Sequence, residues 1–129
     1  MSDEWRDDQP IYRQLQQKVS GLILDATYPE GTAVPSVRQV SKDLSINHLT
    51  VAKAYQELVD LGLLEKRRGL GMFVVEGARA ALRQQEQDKF ISVELPAFVS
   101  RLQQLDISLD DAMSAIEKAT QTQAKEKAK

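Results

Sequence analysis

Asn47, His48, Thr50 and Lys53 stand close together in the chain, with Leu49 and Ala52 between them. Arg38 precedes this group, and Lys66-Arg67-Arg68 follows it, directly before Gly69. Amide, imidazole, hydroxyl and amine groups at such spacing suit hydrogen bonds to base edges and phosphates. Leu49 suits a thymine methyl, and Lys53 a phosphate or a guanine edge. Catalysis fits these residues poorly. The chain has one histidine and no cysteine, and no spacing suggests a Ser–His–Asp set or another acid, base or nucleophile cluster. Gly69-Leu70-Gly71 lacks the rest of any nucleotide-binding fingerprint. No enzyme activity, metal site or cofactor is therefore expected.

Composition narrows the setting. Apolar residues make up 42% of the 129 and aromatics only 5%, so Leu, Val, Ile and Ala must fill the core. No apolar run approaches the roughly 18 residues of a membrane span. The start, MSDEWRDDQP, is acidic and polar, unlike a signal peptide. Together with the absence of cysteine, this favours a cytoplasmic location. The net charge of −2 runs against the basic footprint of a DNA binder. The charges are segregated, however: Asp3, Glu4, Asp7 and Asp8 gather at the start, and the densest basic run is Lys66-Arg67-Arg68.

The elements that must hold these residues follow from periodicity. Residues 1–9 read as a disordered segment. Pro10 opens a first helix over about residues 10–26, with Ile11, Leu15, Val19, Leu22, Ile23 and Ala26 on one stripe. Tyr28-Pro29-Glu30-Gly31 ends it, and Thr32-Ala33-Val34 is a short extended piece. Ser36 caps a second helix over 36–44. After the Ser45-Ile46 turn, Asn47 caps a third helix that runs to about Leu61, before Gly62. Two short helices joined by a tight turn make a helix-turn-helix. Leu63–Arg68 and Met72–Val75 then form a hairpin around Gly69-Leu70-Gly71, the place of a wing.

At about 100° per residue, the third helix turns Val51, Ala54, Tyr55 and Leu58 inward. Leu49, Ala52, Lys53 and Gln56 then face outward, with His48 on the flank. An outward leucine beside a small alanine and a lysine suits a helix face that enters a groove. Asn47 serves as a cap, as a base contact, or as both. Thr50, in the first turn, suits a phosphate, and outward Arg38 on the second helix suits either the DNA backbone or a base. Arg67 and Arg68 at the wing suit the neighbouring backbone or minor groove.

From Pro10 to Val75 the chain resembles the DNA-binding domain of the GntR family of bacterial regulators. The resemblance rests on Pro10-Ile11-Tyr12-Arg13-Gln14-Leu15, Pro35-Ser36-Val37-Arg38-Gln39-Val40, Asn47 through Tyr55, Gly62-Leu63-Leu64, and Arg67-Arg68-Gly69-Leu70-Gly71-Met72-Phe73-Val74. It implies DNA contacts at Arg38, Asn47, His48, Leu49, Thr50, Lys53, Arg68 and Gly69. His48 departs from the arginine that many members carry, and a neutral histidine cannot grip guanine in the same bidentate way. The remainder resembles the YtrA-like subfamily, whose C-terminal region is short and helical. It implies a transcription regulator, usually a repressor, without the larger effector-binding or aminotransferase-like domain of other branches.

The C-terminal part is expected to be helical. Ala78–Lys89 forms one helix, broken at Ser92-Val93-Glu94. Leu95, Phe98, Val99, Leu102 and Leu105 mark a second stripe, with Pro96 in its first turn. Ser108 and Asp111 resemble a capping box before Leu109, Ala112, Met113, Ile116 and Ala119. Two such stripes are hard to bury within one chain, and pairing with a second copy solves this. Leu95, Phe98, Val99, Leu102, Leu105, Leu109, Met113 and Ile116 are the expected dimer contacts. The expected fold is mainly α with a small β-hairpin. It comprises a winged helix-turn-helix over 10–77, a helical dimerisation region over 78–122 and a disordered tail over 123–129. The expected partners are double-stranded DNA, bound at an inverted repeat, and a second copy of the chain. No membrane partner and no dedicated effector pocket are expected.

Overall fold

The computed structural model describes residues 5–127. The chain forms two compact units, residues 1–85 and 86–129.

In the first unit, Pro10, with φ fixed near the helical value, precedes α1 (Ile11–Leu24). Leu15, Val19 and Ile23 are its fully buried stripe. The helix ends two residues sooner than the spacing predicts. The Asp25 carboxylate accepts the Thr27 N–H at 2.9 Å, and Ala26 adopts φ 66°, a left-handed conformation that leaves the helix. Residues 5–9, which the sequence reads as disordered, are placed by Gln14. This buried amide donates to the Arg6 and Gln9 carbonyls and accepts from the Arg6 N–H, each at 2.8 Å. Trp5 packs against the core. Residues 1–4 lie outside the described part.

Ser36 caps α2 (Val37–Leu44) by accepting from the Gln39 N–H at 3.1 Å. The helix stops at Ser45, which is left-handed at φ 54°. Next comes α3 (His48–Asp60), buried through Val51, Ala54, Tyr55 and Leu58. The Tyr55 hydroxyl donates to the Pro35 carbonyl at 2.6 Å and so ties α3 to the residues entering α2. β1 (Leu64–Arg67) and β2 (Gly71–Val74) form the antiparallel hairpin, with Leu64 opposite Val74 and Arg67 opposite Gly71. The extended piece before Pro35 joins its far edge. Gly31 N–H donates to Val74 and Val34 N–H to Met72, while Val74 N–H donates to Thr32.

α4 (Ala78–Lys89) begins within this unit: Ala78 and Leu82 are buried in the same core. Its start is fastened twice. The Glu30 carboxylate accepts the Gly77 N–H, and Arg79 Nε donates to the Leu24 carbonyl at 2.7 Å.

The break expected at 92–94 is absent. Phe90–Glu94 forms a π-helical turn that carries α4 directly into α5 (Leu95–Gln104). Pro96 supplies the reason. It has no N–H to give to the preceding turn, and its ring crowds the carbonyls there. A widened turn, with Leu95 N–H bonded to Phe90 O, accommodates the ring without ending the helix. Ser108 then caps α6 (Leu109–Lys127), its hydroxyl accepting from Asp111 N–H at 3.1 Å. Residues 123–127, read as part of a disordered tail, continue α6, and residues 128–129 lie outside the described part. In the second unit, Ala112 alone is buried among the described residues.

Removal of the Tyr55 hydroxyl tests the α3 attachment. Burial holds this phenol well above the ordinary tyrosine range. The folded state therefore favours its neutral form. The stabilisation is complete below about pH 10 and is lost as the pH rises past that value. Tyr55→Phe should cost about 1 kcal/mol at neutral pH by orphaning the Pro35 carbonyl. It should also give a shallower loss of stability above pH ~10, since the variant lacks this titration. Tyr28, shifted the same way by burial, keeps the slope from vanishing. Urea unfolding across pH checks both effects.

Candidate nucleic-acid interface

The helix-turn-helix is built from its turn outward. Ser41 Oγ donates to the Ile46 carbonyl at 2.5 Å, and the Ile46 N–H donates to the Ser41 carbonyl at 3.2 Å. Half-buried Ile46 packs against the core. The angle at which α3 leaves α2 is thus set by two local bonds and one apolar contact. The Asn47 side chain accepts from Leu49 N–H at 2.8 Å, so this residue caps α3.

With one side of α3 packed, the opposite side lies open. Leu49 is 66% exposed, and His48 and Lys53 are exposed too. Thr50 is half-buried, its N–H bonded to the Asn47 carbonyl at 3.0 Å. Arg38 is exposed on the first turn of α2. It lines a groove together with Val37, Ser41, Lys42 and His48. Arg38, Lys42 and His48 thereby bring two cations and an imidazole beside the start of α3.

The wing divides its cations. Arg67 donates through Nε and Nη2 to Glu65 at 3.0 and 2.9 Å, and its guanidinium lies 4.2 Å from the Phe73 ring centroid. It is engaged on the hairpin surface. Lys66 and Arg68 are exposed and have no salt-bridge partner among the described residues. Gly69 occupies the turn at φ 78°, a conformation open to glycine and costly for most side chains.

Lys53 is not solvated freely, as its outward position suggests. Its ammonium rests 3.9 Å from the centroid of the Tyr12 ring on α1, and the Arg13 guanidinium lies 5.7 Å from the same ring. Sequence reasoning missed Tyr12 and Arg13 as members of this surface. The available signal was an aromatic residue lying off the buried Leu15–Val19–Ile23 stripe of α1.

The expected dimer contacts lie in the second unit. Leu95, Phe98, Val99, Leu105, Leu109, Met113 and Ile116 are all exposed there, and Leu102 is half-buried. Among the described residues no group of three or more His, Cys, Asp or Glu is arranged to hold a metal, and no helix is long and apolar enough to cross a membrane.

The family model described as bacterial regulatory proteins, gntR family, matches residues 11–74, from the first residue of α1 to the last of β2. The chain belongs to the GntR family. The GntR segment contains every candidate DNA-facing residue named above. The HTH-type transcriptional repressor YtrA of Bacillus subtilis (strain 168) is 38% identical over 77 residues, which cover 60% of this chain and 59% of that repressor. A GntR-family regulator from Bacteroides thetaiotaomicron, known as a crystal structure, is similar over 88% of this chain and 99% of its own, with a TM-score of 0.74 and 28% identity. The DNA-binding domain of AraR, crystallised with an operator, is similar over 58% of this chain and 88% of its own, with a TM-score of 0.51 and 25% identity. GntR proteins are transcription regulators and not enzymes. This GntR chain is a DNA-binding transcriptional regulator with a winged helix, and its relatives include a YtrA repressor.

The cap is separable from DNA contact. Asn47→Ala should destabilise the fold by about 1 kcal/mol in urea unfolding, and Asn47→Ser should recover most of that loss. If Asn47 also touches a base, the serine variant will still bind DNA more weakly despite its restored stability.

Proposed function

We propose that the protein represses transcription as a homodimer on an inverted-repeat operator. In this reading α3 enters the major groove. Asn47, His48 and Leu49 meet base edges there, while Arg38, Thr50 and Lys53 meet phosphates or bases. Arg67, Arg68 and Gly69 at the wing contact the neighbouring backbone. The observation that carries the reading is the exposed Leu49 flanked by cations, on the side of α3 opposite its fully buried face. A solvated helix face gains little from a two-thirds exposed leucine, whereas a thymine methyl gives it a partner. The repressor name of the YtrA relative supports the sign of regulation.

The division of labour follows the two units. Residues 10–77 bind DNA and 78–122 supply the dimer contacts, with the first turns of α4 packed into the core of the first unit. Leu95, Phe98, Val99, Leu102, Leu105, Leu109, Met113 and Ile116 pair with the same residues of a second copy. Exposed apolar side chains so numerous within so short a segment favour an isologous contact. A two-fold pair then presents two recognition helices to half-sites one helical turn apart, about 34 Å. No dedicated effector pocket belongs to this reading, because Ala112 alone is buried among the described residues of the second unit. A protein that works on bacterial operators acts in the cytoplasm, where the chromosome lies.

Selection of bound fragments from random duplex DNA, followed by titration at several salt concentrations, tests the proposal. The recovered sites should be inverted repeats, and sedimentation should report a dimer. Arg38→Ala and Arg68→Ala should each weaken binding by about tenfold and lower the salt slope by about one. Unchanged affinity in both variants would remove this surface from DNA contact.

A further inference from the structure

Lys53 is the one cation on the outward side of α3 that another side chain holds. Its ammonium lies 3.9 Å from the Tyr12 ring centroid, close enough for the ring's quadrupole to attract it. Tyr12 is half-buried in the first turn of α1, with part of its ring against the core. The Arg13 guanidinium lies beside the same ring at 5.7 Å. A hydrogen bond with Arg13, and then the charge of Lys53, hold the phenol below the usual tyrosine range. Glu57, one turn beyond Lys53, is the acid that both Tyr12 and Arg13 feel. Neither Arg13 nor Lys53 has a salt-bridge partner among the described residues. Two cations against one acid leave the cluster positive.

Core packing does not require this arrangement, since both cationic groups sit outside the buried stripe of α1 and the buried face of α3. A lysine on a flexible stem ordinarily loses rotamer freedom when it grips a phosphate. A lysine already resting on a ring has less to lose, which favours binding. We propose that Tyr12 is a positioning residue of the DNA surface: its ring seats Lys53, and Lys53 with Arg13 forms a phosphodiester-binding patch that extends the footprint from α3 to the start of α1. This patch rests on the DNA-binding reading above. Its ligand is the backbone of duplex DNA, held by charge irrespective of sequence.

The test uses the full chain and a duplex recovered by selection. Tyr12→Leu and Lys53→Ala should each weaken binding by about tenfold and lower the salt slope by about one. The double variant should bind no worse than the weaker single, because both lesions remove the same contact. Tyr12→Phe, which keeps the ring, should rescue the affinity. Arg13→Ala should lower the slope further when combined with Lys53→Ala. An independent readout needs no DNA: NMR should place the Lys53 ε-protons upfield through the Tyr12 ring current, and Tyr12→Leu should abolish that shift. Additive losses in the double variant, full affinity in Tyr12→Leu, or ε-protons at their ordinary position in the wild type would each overturn the seat. Wild-type protein that binds no duplex would overturn the DNA reading itself, and the patch with it.

Discussion

Burial of Val51, Ala54, Tyr55 and Leu58 is the constraint on which the geometry of the open α3 face depends. A helix has one rotation about its axis to choose, and four packed side chains choose it. Leu49 and Lys53 then have no way inward. The Tyr55 hydroxyl adds direction to this apolar attachment, because its bond to Pro35 fixes α3 against the residues that lead into α2. The Ser41–Ile46 bonds set the same relation from the turn side. Two independent ties thus define one angle, as the proposed docking of α3 into a groove requires.

Electrostatics works locally in this molecule. The chain as a whole carries a charge of −2, a poor advertisement for a polyanion partner. Yet the described salt bridges occupy only Arg6 and Arg67, and the cations around the start of α3 remain uncommitted to acids. Surface pairs contribute little stability in water. Leaving Arg38, Lys42 and Arg68 without an acidic partner among the described residues therefore costs the fold little, and in the proposed reading it leaves Arg38 and Arg68 available to phosphates.

Much of the winged helix was legible because its signals are local. Asn47 and Ser36 cap where their side chains suggest, and the spacing of Val51, Ala54, Tyr55 and Leu58 gives the buried face. What escaped depends on contacts between distant residues or on compensation. Gln14 looks like one more polar residue on α1, but its amide satisfies three backbone groups of the preceding segment and is buried by doing so. Arg67 reads as a free wing cation, and only the fold shows Glu65 and Phe73 holding it. Tyr12 and Lys53 are far apart in sequence and meet because α1 packs on α3. Pro96 with Ser92-Val93-Glu94 reads as a helix break, since no periodicity rule announces a π turn that absorbs the proline.

That π turn carries a consequence for the second unit. Relative to uninterrupted α-helix, a π turn inserts one residue, which advances the chain by about 100° around the axis. Counting back from Phe98 and Leu95 at ideal helical spacing, Ile91 would lie in line with them. The inserted residue moves Ile91 out of phase and puts Phe90 in its place. Both side chains are exposed, at 52% for Phe90 and 60% for Ile91. The choice between an aromatic and a branched aliphatic group at the end of that row is therefore made by the width of the turn, not by composition. Deleting any one of residues 91–94 would restore ordinary α spacing with Phe90 four places before Leu95, so the shortened helix and the widened turn present the same aromatic group at the end of that row.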